Sequence, residues 1–349
     1  TNQTNRIIDY KIQKTHEIQK EIQKNMEYKP IGNTGIMVSP LCFGTMSFGG
    51  DADELISAAM FHRCREAGIN FFDCADIYNN GMSEEILGRL ISDCRDEVII
   101  TSKVYGPTGN DVNAKGANRK HIMLGIEKSL ARLKTDYLDF YFIHNFDDNT
   151  PVEETIKTLD NLVKQGKILY PAASNFAAWQ ISKALGIAEK ENLSRFECIQ
   201  PMYNLVKRQA EVEILPLAEA ENLGVIPYSP LGAGILTGKY GSNHKPESGR
   251  LIENQTYKIR YNAEWMYETA DNFTKFAQQY GFPPAGLAIA WVASHPAVTA
   301  PIIGARSLDQ LEGSLKSLQI EISPDLRDKI SALSPEPPLA TDRNDEREK

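Results

Sequence analysis

The sequence has few cysteines, and they follow no pattern in which they would act together. Its 349 residues contain five, Cys42, Cys64, Cys74, Cys94 and Cys198, without a C-x-x-C pair or a metal-ligand spacing. An odd, scattered set is typical of free thiols in a reducing cytosol and argues against a disulfide framework. Cys74 is then either a reactive thiol or a small buried core residue.

Signals for membranes and nucleic acids are also absent. No apolar run approaches the roughly 18 residues that a spanning helix requires, and no secretory signal peptide is visible. The formal net charge is −8, and there is no block of Lys and Arg residues that would bind nucleic acid or an anionic membrane. We expect a cytoplasmic protein with neither partner, and the sequence leaves its oligomeric state open.

Several catalytic motifs are missing too. There is no H-E-x-x-H pair and no Cys/His cluster, so we expect no metal, and no G-x-S-x-G turn indicates a serine nucleophile. The glycines of GAGILTG, residues 232–238, lack the G-x-G-x-x-G spacing of a dinucleotide fingerprint. This stretch therefore gives no evidence for a Rossmann domain.

What the sequence does have is a regular alternation of short apolar runs and helical patterns. The predicted strands cover 40–46, 69–75, 97–103, 137–144, 167–175, 198–204, 225–231 and 298–305. The predicted helices between and after them cover 52–68, 83–94, 119–134, 152–166, 177–191, 210–224 and 307–318. Strands that alternate with helices pair in parallel through right-handed crossovers, and eight such units close into a barrel. We predict an α/β protein with a single-domain (β/α)8, or TIM, barrel.

Two segments stand outside this alternation. A long insertion between residues 231 and 298 contains a glycine-rich loop and two helical stretches, 263–281 and 283–295, and long loops of this kind often cover a binding site. Residues 1–26 are polar and rich in Gln and Lys. We expect them to be an amino-terminal extension, either a short helix or a segment added ahead of a natural start at Met26, with the barrel over 27–349.

The segment FFDCADIYNNGMSEE, residues 71–85, places an acid and a phenol directly after an apolar run. Asp73 and Tyr78 are five residues apart. One interpretation is an ordinary strand-to-helix loop in which Asp73 caps and Tyr78 packs. The other is a functional site at the end of a strand.

Polar residues at the ends of the other predicted strands favour a site. They are Lys103, His144, Ser174, Asn175, Gln200, Tyr228, Ser229 and, just after Gly304 at the end of the last strand, Arg306. Any one of them could be structural, but in a barrel all these strand ends meet at one face, where active sites are built. A neighbouring ammonium lowers the pKa of a phenol, and a carboxylate holds the ammonium in place. Asp73, Tyr78 and Lys103 would then form a general acid suited to protonating a carbonyl oxygen as it accepts hydride.

At these residues the chain resembles the aldo-keto reductase family. FFDCADIY followed by GMSEEILG is similar to the family's D-x-A-x-x-Y and G-x-S-E-x-x-L-G signatures, and ITSK, YLDFYFIH, ASNF, IQPMYN, IPYSPLGAGILTGKY and PIIGARSLDQLE follow in the family's order. The resemblance covers about residues 27–335. It implies reduction of an aldehyde or ketone by NADPH on a barrel without a Rossmann domain.

The resemblance also implies a role for each matching residue. Tyr78 would be the proton donor, Lys103 would modulate its pKa, Asp73 would pair with Lys103, and His144 would orient the carbonyl. Ser174, Asn175 and Gln200 would bind the nicotinamide carboxamide of NADPH or NADP+, and Tyr228 would stack on the ring. The remaining implied cofactor residues are Gly44, Thr45, Met46, Ser229, Pro230, Leu231, Gly234, Lys239, Arg250, Gly304, Arg306, Gln310 and Ser314.

The chain departs from the family pattern near the adenine end of the cofactor. Gly313-Ser314 stands where the family often has Glu-Asn, which leaves the preference for NADPH over NADH resting mainly on Arg306. The family's potassium-channel β subunits typically have Trp where this chain has Tyr228.

Two other functions stay open at this point. One is a cofactor-binding regulatory module similar to those channel subunits, and the other is an isomerase or lyase on a barrel of the same type. The substrate is not specified by the sequence, because it depends on the loops 46–52, 105–118, 146–151 and 242–262. In or beside these loops, Phe48, Tyr105, Phe146 and Trp265 either wall the pocket or pack in the ordinary way.

Overall fold

Eight parallel strands form the centre of the protein, whose computed structural model describes residues 26–341. A preceding hairpin consists of β1 (Lys29–Pro30) and β2 (Met37–Val38). The parallel strands are β3 (Cys42–Gly44), β4 (Phe71–Asp73), β5 (Ile99–Val104), β6 (Leu138–Ile143), β7 (Ile168–Ser174), β8 (Cys198–Gln200), β9 (Gly224–Val225) and β10 (Ile302–Ile303). Their order in the sheet is β10-β3-β4-β5-β6-β7-β8-β9.

Backbone hydrogen bonds between the two ends of this sheet close it into a barrel. The amide of Thr299 donates to the carbonyl of Val225 at 2.9 Å, and the amide of Ile302 donates to the carbonyl of Pro227 at 2.9 Å. The predicted (β/α)8 fold is therefore confirmed.

Helices surround the barrel and pack on its outer face. They are α1 (Glu54–Glu66), α2 (Met82–Leu90), α3 (Arg119–Leu133), α4 (Val152–Lys164), α5 (Ala178–Glu191), α6 (Ile214–Ala220), α7 (Arg250–Glu253), α8 (Gln255–Arg260), α9 (Glu264–Gln279), α10 (Pro284–Ala293), α11 (Leu308–Leu315) and α12 (Pro324–Ser331). None of the helices within residues 26–341 combines the length and apolarity that crossing a membrane would require.

The amino-terminal end of the barrel is filled and covered. Phe71, Phe140 and Phe142 are fully buried in an inner apolar cluster that also includes Ile31 and Val38 of the hairpin region. Because the hairpin covers this end, the carboxyl ends of the strands are left to build a site.

Gly32 shows how closely the hairpin turn approaches the strands. Its φ is +55°, and a Cβ placed on it would lie 2.6 Å from the carbonyl oxygen of Glu197, just before β8. A side chain at this position would therefore meet both backbone strain and a clash.

The predicted strands and helices are shorter in the structure than in the sequence pattern, and for two of them a proline gives the reason. The strand predicted over 298–305 is only Ile302–Ile303, because Pro301 has no N–H to donate to the sheet. The helix predicted over 210–224 is Ile214–Ala220, since Pro216 is tolerated only in a first turn.

Other differences lie outside the predicted alternation. Helices α7, α8 and α12 were not predicted. The expectation for residues 1–26 lies outside the described residues except at Met26.

Candidate active site

A buried ion pair lies at the carboxyl ends of β4 and β5. Lys103 Nζ donates to Asp73 Oδ2 at 2.6 Å and to the carbonyl of Cys74 at 2.6 Å. The other oxygen of Asp73 accepts from Thr101 Oγ1 at 2.7 Å and from Gln200 Nε2 at 3.0 Å. Since both charges are paired and hydrogen-bonded, the pair is held in one geometry despite its burial.

Tyr78 stands above this pair on a short 3-10 turn, Tyr78–Gly81. Its hydroxyl lies 3.4 Å from Lys103 Nζ. The turn is left-handed at Asn79, where φ is 48°, and the Asn79 amide donates to the carbonyl of Met46 at 3.0 Å and to that of Phe48 at 2.8 Å. Asparagine tolerates this backbone conformation, so the local sequence fixes the position of the phenol.

The protonation of Tyr78 is set by two opposing effects. Burial raises the pKa of the phenol, while the Lys103 ammonium lowers it, and burial is the larger effect. Lys103 thus acts in the predicted direction, but the net shift is upward, opposite to the sequence-based expectation. The phenol is therefore protonated at neutral pH and available as an acid.

His144 faces the same space from the end of β6. Its ring lies 6.1 Å from that of Tyr78, centroid to centroid, at an interplanar angle of 76°. Burial, with the Lys103 charge, lowers the pKa of His144 to about 3, so the imidazole is neutral. Four side chains thus meet at this end of the barrel and form a tetrad: Asp73, Tyr78, Lys103 and His144.

A hydrogen-bonded chain of polar side chains continues from the tetrad around the barrel mouth. Asn175 Nδ2 donates to the carbonyl of His144 at 2.8 Å, and the Tyr228 hydroxyl donates to Asn175 Oδ1 at 2.7 Å. Ser174 Oγ donates to the carbonyl of Gln200 at 3.0 Å. Residues from four strand ends are thereby fixed relative to one another.

These groups open into a cavity of about 730 Å³. The predicted site residues that line it are Gly44, Met46, Asp73, Tyr78, His144, Ser174, Asn175, Gln200, Tyr228, Ser229, Pro230, Leu231, Gly234, Lys239, Arg250, Gly304, Arg306, Gln310 and Ser314. Lys103 and Thr45 do not line it. Lys103 lies behind Asp73 and Tyr78, and the Thr45 hydroxyl donates to the backbone carbonyl of Asp73 at 3.0 Å.

Three basic residues, Lys239, Arg250 and Arg306, form the cationic end of the cavity. Burial and the charges of Arg306 and Arg250 lower the pKa of Lys239. Arg306 Nε lies 2.8 Å from a carboxylate oxygen of Asp51, at the rim. Close positive charges of this kind are typical of a site that binds an anion.

The backbone beside the cationic end is also suited to close approach by a ligand. Ser229, Ala233 and Gly234 all have positive φ, at 58°, 58° and 98°. A Cβ on Gly234 would lie 3.1 Å from Lys239 Cε. A bulkier residue there would therefore crowd the lysine.

Sequence reasoning missed several residues that line the cavity. They are Ser47, Ile77, Asn145, Ala233, Thr237, Gly249, Tyr257, Arg260, Ala285, Ile302, Ile303, Ala305 and Gly313. Tyr257 and Arg260 could have been recognised as a pair from their three-residue spacing, which places both side chains on one face of a helix. None of the four candidate wall residues lines the cavity: Phe48 packs on Phe43 and Phe146 on Phe176.

Within the described residues, no group of three or more His, Cys, Asp and Glu side chains has a geometry that could hold a metal ion.

Comparison with known proteins agrees with this geometry. Residues 40–335 match the model of the Aldo/keto reductase family. The chain belongs to this family. It is accordingly an oxidoreductase of the aldo/keto reductase type, with the family's barrel.

Relatives of this aldo/keto reductase cover almost its whole length. It is 37% identical over 328 residues to a probable voltage-gated potassium channel subunit beta of Oryza sativa subsp. japonica, covering 91% of this chain and 99% of that protein. It is 35% identical to the uncharacterized oxidoreductase YrpG of Bacillus subtilis, covering 89% and 97%. It is 34% identical to norsolorinic acid reductase stcV of Emericella nidulans, covering 83% and 76%.

Proposed function

We propose that this protein reduces aldehyde or ketone carbonyls to alcohols with NADPH, and that Tyr78 is the general acid. The observation that carries the proposal is the position of Lys103 Nζ, 2.6 Å from Asp73 Oδ2 and 3.4 Å from the Tyr78 hydroxyl. A buried cation beside a phenol stabilises the phenolate that remains after proton transfer.

Each member of the tetrad has a separate role in carbonyl reduction. When bound, the dihydronicotinamide would supply the hydride. Tyr78, protonated because burial raises its pKa, donates its proton to the carbonyl oxygen as negative charge grows there. Asp73 keeps Lys103 in place, and a neutral His144 donates an N–H to the same oxygen and orients it.

The remaining cavity residues fit a dinucleotide with several phosphates. Ser174, Asn175 and Gln200 offer amide and hydroxyl groups to the nicotinamide carboxamide, and Tyr228 offers a ring face. Lys239 and Arg250 provide charge for the pyrophosphate, beside Ser229, Leu231 and Gly234. Gly44, Met46, Pro230 and Gly304 supply wall contacts, while Thr45 holds the Asp73 backbone from behind.

The preference for NADPH over NADH would depend on the cationic end. Arg306 would pair with the 2′-phosphate in place of Asp51, which is about half exposed at 49% and therefore easily released. Gln310 Oε1 accepts from the Arg306 amide at 3.0 Å, and Ser314 lies one helical turn beyond Gln310. Gly313 adds no side chain, so the preference rests mainly on Arg306.

We also propose that the protein is located in a reducing cytoplasm and that its barrel domain covers residues 27–349. All five cysteines are free thiols, and four of them are buried, which suits a compartment where disulfides do not form.

Tyr78→Phe tests the proposal directly. We expect kcat for aldehyde reduction to fall roughly 10²- to 10⁴-fold, because the proton donor is lost while the ring remains. NADPH oxidation across a panel of aldehydes gives kcat, and fluorescence titration gives NADPH affinity, which should persist. The matched control is Tyr105→Phe, since Tyr105 is a nearby tyrosine that does not line the cavity. Equal turnover by wild type and Tyr78→Phe would contradict the proposal.

The similarity to a probable channel β subunit supports a second candidate, a cofactor-binding regulatory module. It predicts tight NADPH binding with negligible turnover of every aldehyde in the panel. The same two measurements therefore distinguish the candidates.

A further inference from the structure

The cavity is positively charged although the chain is acidic overall. The net charge of the chain is −8. The charged side chains that line the cavity are one acid, Asp73, and the bases Lys239, Arg250, Arg260 and Arg306. Asp73 is neutralised by Lys103, which leaves the bases to set the potential. A cavity of this kind concentrates anions.

The four bases differ in the basic side chains that lie near them. Lys239 has its pKa lowered by burial and by Arg306 and Arg250, so these three lie together at the cationic end. Arg260 instead acts on Lys207, whose pKa is lowered by burial and by the Arg260 charge. Arg260 therefore extends the positive charge of the cavity beyond the cationic end, and the Tyr257 ring is shared, since Arg250 lies 5.6 Å and Arg260 lies 5.3 Å from its centroid.

Arg260 is held in the cavity wall by its helix. It is the last residue of α8, whose first amides are capped by Asn254 Oδ1. Tyr257, three residues earlier, also lines the cavity, and the Arg260 guanidinium lies 5.3 Å from its ring centroid. Stacking on an aromatic ring restricts a guanidinium and leaves its N–H groups free for a planar anion.

Arg260 lacks the acidic partners that Arg306 has. Arg306 pairs with Asp51 and Glu253, whereas no salt bridge among residues 26–341 includes Arg260. A favourable position at the carboxyl end of a helix explains a basic residue here in general, but Lys258 in the same turn serves that purpose from the exposed side. A helix-end position therefore does not explain why Arg260, without an acidic partner, lies in the wall of the cavity.

Arg260 and Tyr228 both line the cavity, and Asn204 links the residues beside them. Asn204 Nδ2 donates to the Tyr261 hydroxyl at 3.2 Å and to the carbonyl of Ser229 at 2.9 Å. Burial raises the pKa of Tyr228, and the charge of Arg260 opposes that rise. Tyr228 in turn bonds to Asn175 at 2.7 Å, and Asn175 bonds to the carbonyl of His144 at 2.8 Å. Arg260 is thus on the Tyr228 side of the mouth, and two hydrogen bonds link Tyr228 to the backbone of His144.

We propose that Arg260, stacked on Tyr257, is a specificity-determining residue that binds an anionic group, a carboxylate or phosphate, on the carbonyl substrate. This inference rests on the proposed carbonyl reduction and narrows its substrate class to aldehydes or ketones that carry a negative charge. A guanidinium binds such groups through two parallel N–H···O bonds, which add orientation as well as affinity. A phosphate of the cofactor presents the same chemistry, and the experiment separates the two sources.

The test compares Arg260→Met with wild type on two matched aldehydes. 4-Carboxybenzaldehyde carries the anion, and its methyl ester is a neutral compound with a similar electron-withdrawing group. We expect wild type to prefer the carboxylate in kcat/KM, and Arg260→Met to lower that preference about tenfold or more, through KM for the carboxylate. Arg260→Lys should restore part of the preference, since it retains charge without the planar fork. Lys258→Met, an exposed change on the same helix, should leave it unaltered.

Three results would overturn the inference. The first is a wild type without preference for the carboxylate. The second is an unchanged preference in Arg260→Met. The third is an equal loss for both aldehydes with a raised KM for NADPH, which would assign Arg260 to the cofactor.

A binding measurement keeps the inference testable if neither aldehyde turns over. Calorimetry would compare 4-(hydroxymethyl)benzoate with 4-methylbenzyl alcohol, with and without NADP+. Selective binding of the carboxylate that is lost in Arg260→Met would support the anion site even though the proposed reduction had failed. Equal binding of both alcohols to wild type would reject the anion site.

Discussion

The two ends of the cavity use charge in opposite ways. In the tetrad, Lys103 and Asp73 are 0% and 3% exposed and compensate each other at 2.6 Å. At the cationic end, Arg306 is 29% exposed, and its partners Asp51 and Glu253 are about half exposed. A compensated, buried pair keeps one geometry and can position a proton, whereas cations with loosely held partners can exchange them for a ligand.

The energetic consequences differ accordingly. An exposed ion pair typically contributes about 0–1 kcal/mol to stability, so the rim acids near Arg306 are easily displaced. Removing one member of a buried pair typically costs about 3–5 kcal/mol, because the other charge is left unpaired. The tetrad should therefore couple activity to stability, and the cationic end should couple activity to cofactor binding.

The largest effect should follow from Lys103→Met. This change leaves the Asp73 carboxylate buried without its cation, so we expect the free energy of unfolding to drop by about 3–5 kcal/mol. The Tyr78 phenolate also loses its stabilising charge, and we expect kcat to fall roughly 10³-fold or more. Urea unfolding and NADPH oxidation measure the two losses.

A double variant separates these two losses. Asp73→Asn/Lys103→Met has no buried charge left at the pair and should recover much of the stability while remaining inactive. If Lys103→Met alone is as stable as wild type, the pair does not hold the site together as the geometry indicates.

Sequence reasoning located the tetrad but not the wall that faces it. Each tetrad residue follows an apolar strand, and the parallel order of a barrel brings such strand ends together regardless of loop shape. Tyr257 and Arg260 lie on a helix inside the long insertion, where no strand order constrains their position. Their approach to the cavity depends on tertiary packing, which local patterns do not specify.

The direction of the Tyr78 pKa shift was missed for a related reason. The sequence shows that a lysine accompanies the tyrosine, but it does not show how deeply the phenol is buried. Burial and the neighbouring charge oppose each other, and only their relative size decides the sign.

The next largest effect should come from Asp76→Asn, which changes a buried carboxyl beside the tetrad and with it the stability of the protein. Asp76 is buried, its amide donates to the carbonyl of Lys103 at 3.2 Å, and burial and the charge of Glu84 raise the pKa of its carboxyl to about 7, against Arg132 and Lys103. Because the unfolded value is near 3.9, the folded state becomes less stable as the pH rises from about 4 to about 7. Asparagine remains neutral and removes this loss. Its gain in the free energy of unfolding should therefore be larger at about pH 8 than at about pH 5, by on the order of 2 kcal/mol.

Urea unfolding of Asp76→Asn at both pH values checks this difference. Asp93→Asn makes the same chemical change at an exposed position and should alter stability little at either pH. A gain in Asp76→Asn that is equal at both pH values would show that the carboxyl does not titrate between them.

The smallest effect should come from Lys239→Met at the cationic end. Losing one of three cations should raise the Kd for NADPH about tenfold, with little change in kcat, because the tetrad is untouched.

Lys239 is also the one of the three that titrates below the range of arginine, and burial with Arg306 and Arg250 lowers its pKa further. Anion binding favours the charged lysine, so wild-type affinity for NADPH should fall as the pH rises through that lowered pKa, and the fall should be absent in Lys239→Met. Fluorescence titration across alkaline pH measures both properties, with the exposed loop residue change Lys245→Met as the matched control. An identical pH dependence in wild type and Lys239→Met would mean that the lysine does not contact the phosphates, and the contrast between the two ends would then depend on the arginines alone.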